Sequence, residues 1–146
     1  MDLESGLQVR VKEICDEGDV LIEMGELQDA FKNFSEALSL VPEPKEKYSA
    51  TAGILAGMGD VHFHAKSYAQ GKEVLSDAMH CVGAIGSPFL HLRLGQCQFE
   101  LGNVDRAADE LARAYMGAGL EIFSQEDPKY LEFLKTRLKP PASGKR

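Results

Sequence analysis

The sequence predicts an all-α protein built as a stack of three antiparallel helix pairs, and two features carry that reading. A small residue, a second small residue twelve positions later and an alanine seven beyond that recur as Gly18, Ala30 and Ala37, as Gly59, Gly71 and Ala78, and as Gly95, Ala107 and Ala114. A bulky apolar residue follows the middle member by four each time (Phe34, Leu75, Leu111), and another closes each unit (Leu38, Met79, Tyr115). Small residues at recurring offsets let two helices approach while the large ones plug the next pair, so such units must stack to bury their apolar faces. Gly18 is expected to face Ala30, and Gly95 to face Ala107.

The elements follow in order. A first helix runs from about Gly6 to Met24 and a second from Leu27 to about Ser39, with Pro42 and Pro44 marking the exit. A third spans about Lys45 to Ala65, because Tyr48, Leu55 and Met58 continue the apolar spacing backwards toward Pro44. The fourth covers Tyr68 to Cys81. After the glycine-bearing loop Val82 to Ser87, the fifth runs from Pro88 to Leu101, with Ser87 as cap and the proline in the first turn. Val104 to about Met116 forms the sixth. Leu120 to Phe123 is a short apolar turn, and Asp127-Pro128 opens a last helix through about Leu138. Tyr130, Phe133 and Leu134 on its face suit it to cover the end of the stack, near Leu111 and Tyr115. Lys139 to Arg146, with Pro140-Pro141, reads as a flexible tail.

Met24-Gly25-Glu26-Leu27-Gln28-Asp29-Ala30 with Phe34, Ala37-Leu38 and Pro42 resembles the tetratricopeptide repeat, as does Leu94-Gly95 followed by Leu101-Gly102-Asn103-Val104, Ala107, Leu111 and Ala114. The middle unit departs from the pattern: Gly71 stands where alanine is usual, Lys66 where a turn glycine is common and Gly83 where a closing proline would be. The marker glycines are 41 and then 36 residues apart, longer than the family's usual period of about 34. The resemblance implies a right-handed α-solenoid over residues 1–138, with repeats at about 11–44, 45–84 and 88–119 and a capping segment at 120–138.

Composition and charge narrow the function. The chain has 146 residues, 44% of them hydrophobic, as in an ordinary single domain. No run matches a membrane helix, and the polar start Met1-Asp2-Leu3-Glu4-Ser5 is unlike a secretory signal, so a cytoplasmic location is expected. Cys15, Cys81 and Cys97 are odd in number and separated, as reduced thiols near a core would be. The net charge of −7 divides into +5 over the last twelve residues and −12 before them. The repeats therefore lack the Lys and Arg stripe that nucleic acid needs, while an acidic body steers basic partners in.

Catalytic and cofactor motifs are weak. Gly57-Met58-Gly59 and Gly117-Ala118-Gly119 neither follow a strand nor open a phosphate-cradling loop, and no serine sits in a nucleophile elbow. His80 and Cys81 are helix neighbours that project about 100° apart. His62 and His64 point to different sides, so a metal would need a further ligand from His91 or Cys97. The chain reads as non-enzymatic, without cofactor or metal, with a metal- or small-ligand-binding regulator using these His and Cys residues as the alternative.

What the resemblance implies about function lies on a concave face. The first helix of each tetratricopeptide repeat lines a groove, and matching residues stack into ladders. The groove places fall on Cys15, Asp19, Ile22 and Glu23, on Ala56, Asp60, Phe63 and His64, and on Leu92, Gln96, Phe99 and Glu100. Cys15, Ala56 and Leu92 form one apolar ladder, and Ile22, Phe63 and Phe99 another. Apolar strips among carboxylates suit a peptide or protein segment with hydrophobic anchors and basic flanks. The competing reading has the terminal segments covering those aromatics. A clamp for acidic tails, built in some relatives from lysine, arginine and asparagine, is excluded: its places hold Cys15, Asp19, Gly57, Phe89 and Arg93, of which only the arginine fits. The ending Ala114 to Leu120 and Glu126 to Tyr130 looks like that of small stand-alone bacterial tetratricopeptide proteins, some encoded beside toxins, which implies an adaptor-, chaperone- or immunity-like monomer or weak homodimer.

Overall fold

The protein is described here as a computed structural model covering residues 1–138; the flexible tail expected over 139–146 lies outside the described residues. Seven α-helices and no strand occur among them: α1 (Ser5–Glu23), α2 (Leu27–Leu40), α3 (Ser49–His64), α4 (Tyr68–Ala78), α5 (Pro88–Glu100), α6 (Val104–Ala118) and α7 (Pro128–Arg137). The densest packing joins α1 with α2, α3 with α4 and α5 with α6, and each pair leans on the next through α2 against α3 and α4 against α5. Helices α1, α3 and α5 also touch in succession, which lines them up along one face.

The repeat register is visible in three equivalent turns. Gly25, Lys66 and Gly102 all adopt positive φ, at 79°, 61° and 85°. Each amide bonds back three residues, to the carbonyls of Ile22, Phe63 and Phe99, and the next amide bonds back five, to Leu21, His62 and Gln98. Lys66 thus takes the backbone conformation that the flanking repeats assign to glycine, at a steric cost glycine avoids.

The marker glycines receive the bulky residue of the second helix in their pair. A methyl at Gly18 would stand 2.8 Å from the Phe34 ring, one at Gly95 2.8 Å from Leu111, and one at Gly59 would overlap Leu75. In every pair the glycine of the first helix is therefore a notch for the bulky residue sixteen positions later, one turn beyond the small residue expected to face it. Gly71 does lie against Gly59, the methyl it lacks falling 3.7 Å from the Gly59 carbonyl. Ala30, Ala37, Ala78, Ala107 and Ala114 are all fully buried.

Two boundaries differ from expectation. The third helix does not run continuously from Lys45: residues Lys45–Lys47 form a separate 3₁₀ turn, and Tyr48 is extended at φ −99° and ψ 130°. The break follows from Lys45, whose ammonium caps the end of α2 by donating to the carbonyls of Leu38 and Val41, while its own carbonyl accepts from Thr51 Oγ1 at 2.6 Å. Cations at a helix C-terminus satisfy free carbonyls there. Helix α4 ends at Ala78 instead of Cys81, passing into tight turns that carry buried Cys81 and Ala84 into the core.

Beyond α6, Gly119 at φ 74° reverses the chain, and the 3₁₀ turn Leu120–Phe123 and α7 return over the third pair. Phe123, Tyr130 and Leu134 are buried with Leu92, Leu111 and Ala114 in one cluster. The cap thus reaches Leu111 as expected. It turns toward α5 and the concave side instead of covering Tyr115, which remains exposed.

Candidate functional site

The concave face holds a cavity of about 850 Å³ between α1, α3, the start of α5 and the loop before α7. Of the twelve groove places read from the sequence, Cys15, Asp19, Ile22, Glu23, Ala56, Asp60 and His64 line it. Helical geometry explains the grouping, since Cys15, Asp19, Ile22 and Glu23 follow i, i+4, i+7, i+8 on one face of α1.

The other half of the expected groove is closed. Leu92 and Gln96 are 1% and 0% exposed, buried beneath the C-terminal segment. The Phe99 ring packs on Tyr130 and Phe133, with centroids 5.4 and 5.0 Å apart. Glu100 accepts from the Tyr130 hydroxyl at 2.6 Å and pairs with Lys129 at 2.8 Å. Phe63 stands at the junction, its ring 6.2 Å from that of Tyr130 and 4.7 Å from the Arg93 guanidinium. The Ile22, Phe63 and Phe99 ladder is therefore open at its first rung and engaged by the chain itself at the other two.

Arg93 forms the partition between the halves. It is 6% exposed and sandwiched between Phe63 and Phe89, with centroids at 4.7 and 4.9 Å. Its Nε donates to Asp60 at 2.7 Å, and its Nη1 donates to Glu126 at 2.6 Å and to Gln96 at 2.8 Å. Gln96 in turn donates to Glu126 at 2.8 Å. A buried guanidinium needs carboxylate partners of this kind. Burial acts to lower the Arg93 pKa, but the charges of Asp60 and Glu126 outweigh it and raise it. Burial acts to raise that of Asp60, and the hydrogen bond from His64 with the charge and hydrogen bond of Arg93 bring it below the usual carboxylate range.

Asp19 is the opposite case. Partial burial, followed by the neighbouring charges of Asp60, Asp16 and Glu23, raises its pKa, and among the described residues no cation lies in salt-bridge distance of Asp19 or Glu23. With Asp60 and Glu126 both bonded to Arg93, the carboxylates of the cavity that lack a paired cation among the described residues are those of the α1 wall. Cys15 on the same wall has its thiol pushed up to about 11 by burial and then by Asp19, which keeps it protonated at neutral pH.

The residues considered for a metal are not brought together. Both ring nitrogens of His91 are engaged, Nδ1 with Glu110 at 2.6 Å and Nε2 with the Ile85 carbonyl at 2.7 Å. His62 packs against Phe31 with ring centroids 5.3 Å apart, and Cys81 and Cys97 are buried. Among the described residues no cluster of three His, Cys, Asp or Glu side chains is positioned to hold a metal, and no helix is long and apolar enough to cross a membrane.

Glu126, Gln125 and Gly53 belong to the cavity and were not among the residues singled out. Glu126 and Gln125 sit in a loop without periodicity, so only the unsatisfied charge of a buried Arg93 would have pointed to an acid arriving from elsewhere. Phe89 was visible as a groove place, though its stacking on Arg93 was not.

No protein-family model and no curated protein sequence matches the chain. Solved structures do. The TPR domain of Arabidopsis OM64 superposes with a TM-score of 0.66 at 14% identity, over 88% of this chain and 96% of that one. The Yersinia enterocolitica type III secretion chaperone SycD, solved in complex with a peptide of the translocator YopD, gives 0.66 at 16% identity over 87% and 91%. The Sgt2 TPR domain from Aspergillus fumigatus gives 0.67 at 17% over 91% and 86%. At these identities the likeness speaks to architecture, and with the repeated turns and glycine notches it shows that the chain has the tetratricopeptide-repeat fold.

Proposed function

We propose that the protein is a non-enzymatic interaction module of the cytoplasm, which holds a protein or peptide segment in the open half of its concave face. The observation that carries this reading is the 850 Å³ cavity, with Ile22 and Ala56 as apolar floor and, on one wall, the carboxylates of Asp19 and Glu23, which pair with no cation among the described residues. Such a site suits a segment with an apolar anchor and a basic flank, because apolar burial supplies affinity while rim charges steer encounter. The peptide complex of the structurally similar chaperone SycD supports a peptide ligand in general, and with it an adaptor- or chaperone-like role. An immunity-like role is a variant of the same reading, with a basic protein as partner.

The test is a positional-scanning library of end-capped decapeptides, measured by fluorescence anisotropy against the parent chain and folded variants at two salt concentrations. Selected peptides are expected to combine lysine or arginine with a large aliphatic residue. Ile22→Ala should weaken them by about 2 kcal/mol, as loss of a central anchor does. Asp19→Asn with Glu23→Gln should mainly slow association and flatten its salt dependence. Absence of any binder, or indifference to all three substitutions, removes the site from the concave face.

A further inference from the structure

Gly53 is the one groove glycine for which neither packing nor backbone conformation supplies a reason. It lies inside α3, where glycine weakens a helix relative to alanine. Four residues on, Gly57 is needed, because a methyl there would overlap the Phe34 ring. At Gly53 an added methyl would meet nothing within 4 Å, the residue is exposed, and its φ is not positive. Open space is what the chain keeps at this position.

That space joins two cavities. Gly53 and Ala56 line the acidic groove, and they also line a second cavity of about 300 Å³ toward the start of α3, with Ala52, Val82, Ser87 and Leu90 beside the α4–α5 loop among its walls. The two differ in chemistry, since the first carries Asp19 and Glu23, which pair with no cation among the described residues, and the second is walled mainly by small and aliphatic side chains. A side chain at position 53 would stand on the saddle between them.

We propose that an extended peptide crosses α3 with its backbone over Gly53, setting basic residues against Asp19 and Glu23 and an aliphatic side chain into the cavity at Val82. This rests on the reading of the concave face given above and adds to it a path, a polarity and a second pocket. Backbone can approach closely where no Cβ intervenes, which is the physical use of glycine at such a crossing. The charge complementarity is strongest at one end, because Asp60 and Glu126 at the other already share Arg93, while Asp19 and Glu23 pair with no cation among the described residues. An extended segment, unlike a helix, is narrow enough to pass a saddle made by one missing side chain.

The experiment uses the tightest decapeptide of the library, its sequence-reversed counterpart, and the full chain carrying Gly53→Ala, Gly53→Leu or Val82→Asp. Gly53→Ala should melt no lower than the parent, yet weaken the decapeptide at least threefold. Gly53→Leu and Val82→Asp should weaken it tenfold or more, and the reversed peptide should bind worse than the original. Parent-like affinity in folded Gly53→Leu, with sensitivity to Ile22→Ala retained, overturns the crossing and leaves the concave site standing. Insensitivity to Ile22→Ala and to the acid substitutions overturns both. Tighter binding to a chain ending at Leu138 would make the basic tail the natural occupant, and would overturn the assignment to a separate partner.

Discussion

The two halves of the concave face are built from equivalent repeat positions and have opposite fates. At the α1 end, Asp19, Ile22 and Glu23 border an open cavity. At the α5 end their counterparts Gln96, Phe99 and Glu100 are hydrogen-bonded or stacked under the segment that follows Gly119. The repeat dictates which side chains face inward, and the chain beyond the last repeat decides which of them stay available. Arg93 marks the border, tying Asp60 on the open side to Glu126 on the closed one.

The border is the place to break this contrast most severely. Arg93→Ala strands two carboxylates in a half-buried setting, and is expected to cost about 3 to 5 kcal/mol in urea denaturation, as loss of one partner from a buried ion network does. Protease cleavage between Gly119 and Asp127 should accelerate in the same variant. A loss below about 1 kcal/mol, the range of exposed pairs, would mean that apolar contacts alone hold the cap.

Acid should separate the halves next. Asp60 and Glu100 titrate below the usual carboxylate range when folded: burial opposes this in both, and the bonds from His64 and Arg93 to the first, and from Lys129 and Tyr130 to the second, outweigh it. Their contribution is therefore complete above an ordinary carboxyl pKa of about 4 and is lost as pH falls through their lowered values. Asp19 has the reverse sign, so its protonation on acidification relieves repulsion at the open wall. The expectation is that the 119–127 segment becomes protease-sensitive on acidification before α1 does, and that Asp19→Asn stabilises at neutral pH by an amount that vanishes in acid. Simultaneous exposure of both regions would contradict it.

The mildest probe is Cys15. Its thiol, pushed up to about 11, should react slowly with iodoacetamide near neutral pH, and faster as pH rises toward that value. Cys97, pushed up to about 12 and fully buried, should stay unreacted while the protein is folded. A bound decapeptide should slow Cys15 further without touching Cys97. Equal modification of the two thiols would deny that only the α1 half is open.

Helix positions were legible because they rest on local spacing: Gly25, Lys66 and Gly102 form the same turn in all three repeats despite the lysine. The inward residues of α1 and α3 came from the places that the tetratricopeptide resemblance assigns to a groove. One feature was not legible, and another only as the competing reading that the terminal segments cover the groove aromatics. The break at Tyr48 depends on Lys45 finding the carbonyls of α2, a contact with no sequence period. The closure of Phe99 and Gln96 depends on the direction taken by the chain after Gly119, and Glu126 reaches Arg93 from 33 residues away. An amphipathic helix announces that it must be covered, and says little about which neighbour it will choose.

Phe34 carries a consequence for the shape of the whole stack. Its ring, 1% exposed, projects from α2 into the notch of Gly18 on α1 and that of Gly57 on α3, and its edge reaches the floor of the cavity. One rigid ring therefore acts as the spacer between the first two repeats, and its thickness sets the angle at which they meet. At the next junction the glycine of α4, Gly71, meets the Cys97 thiol of α5 instead of a ring. Curvature is thus metered joint by joint, and exchanging Phe34 for a slimmer residue would change the pitch of the superhelix, and with it the width of the groove, without altering any residue of the groove wall.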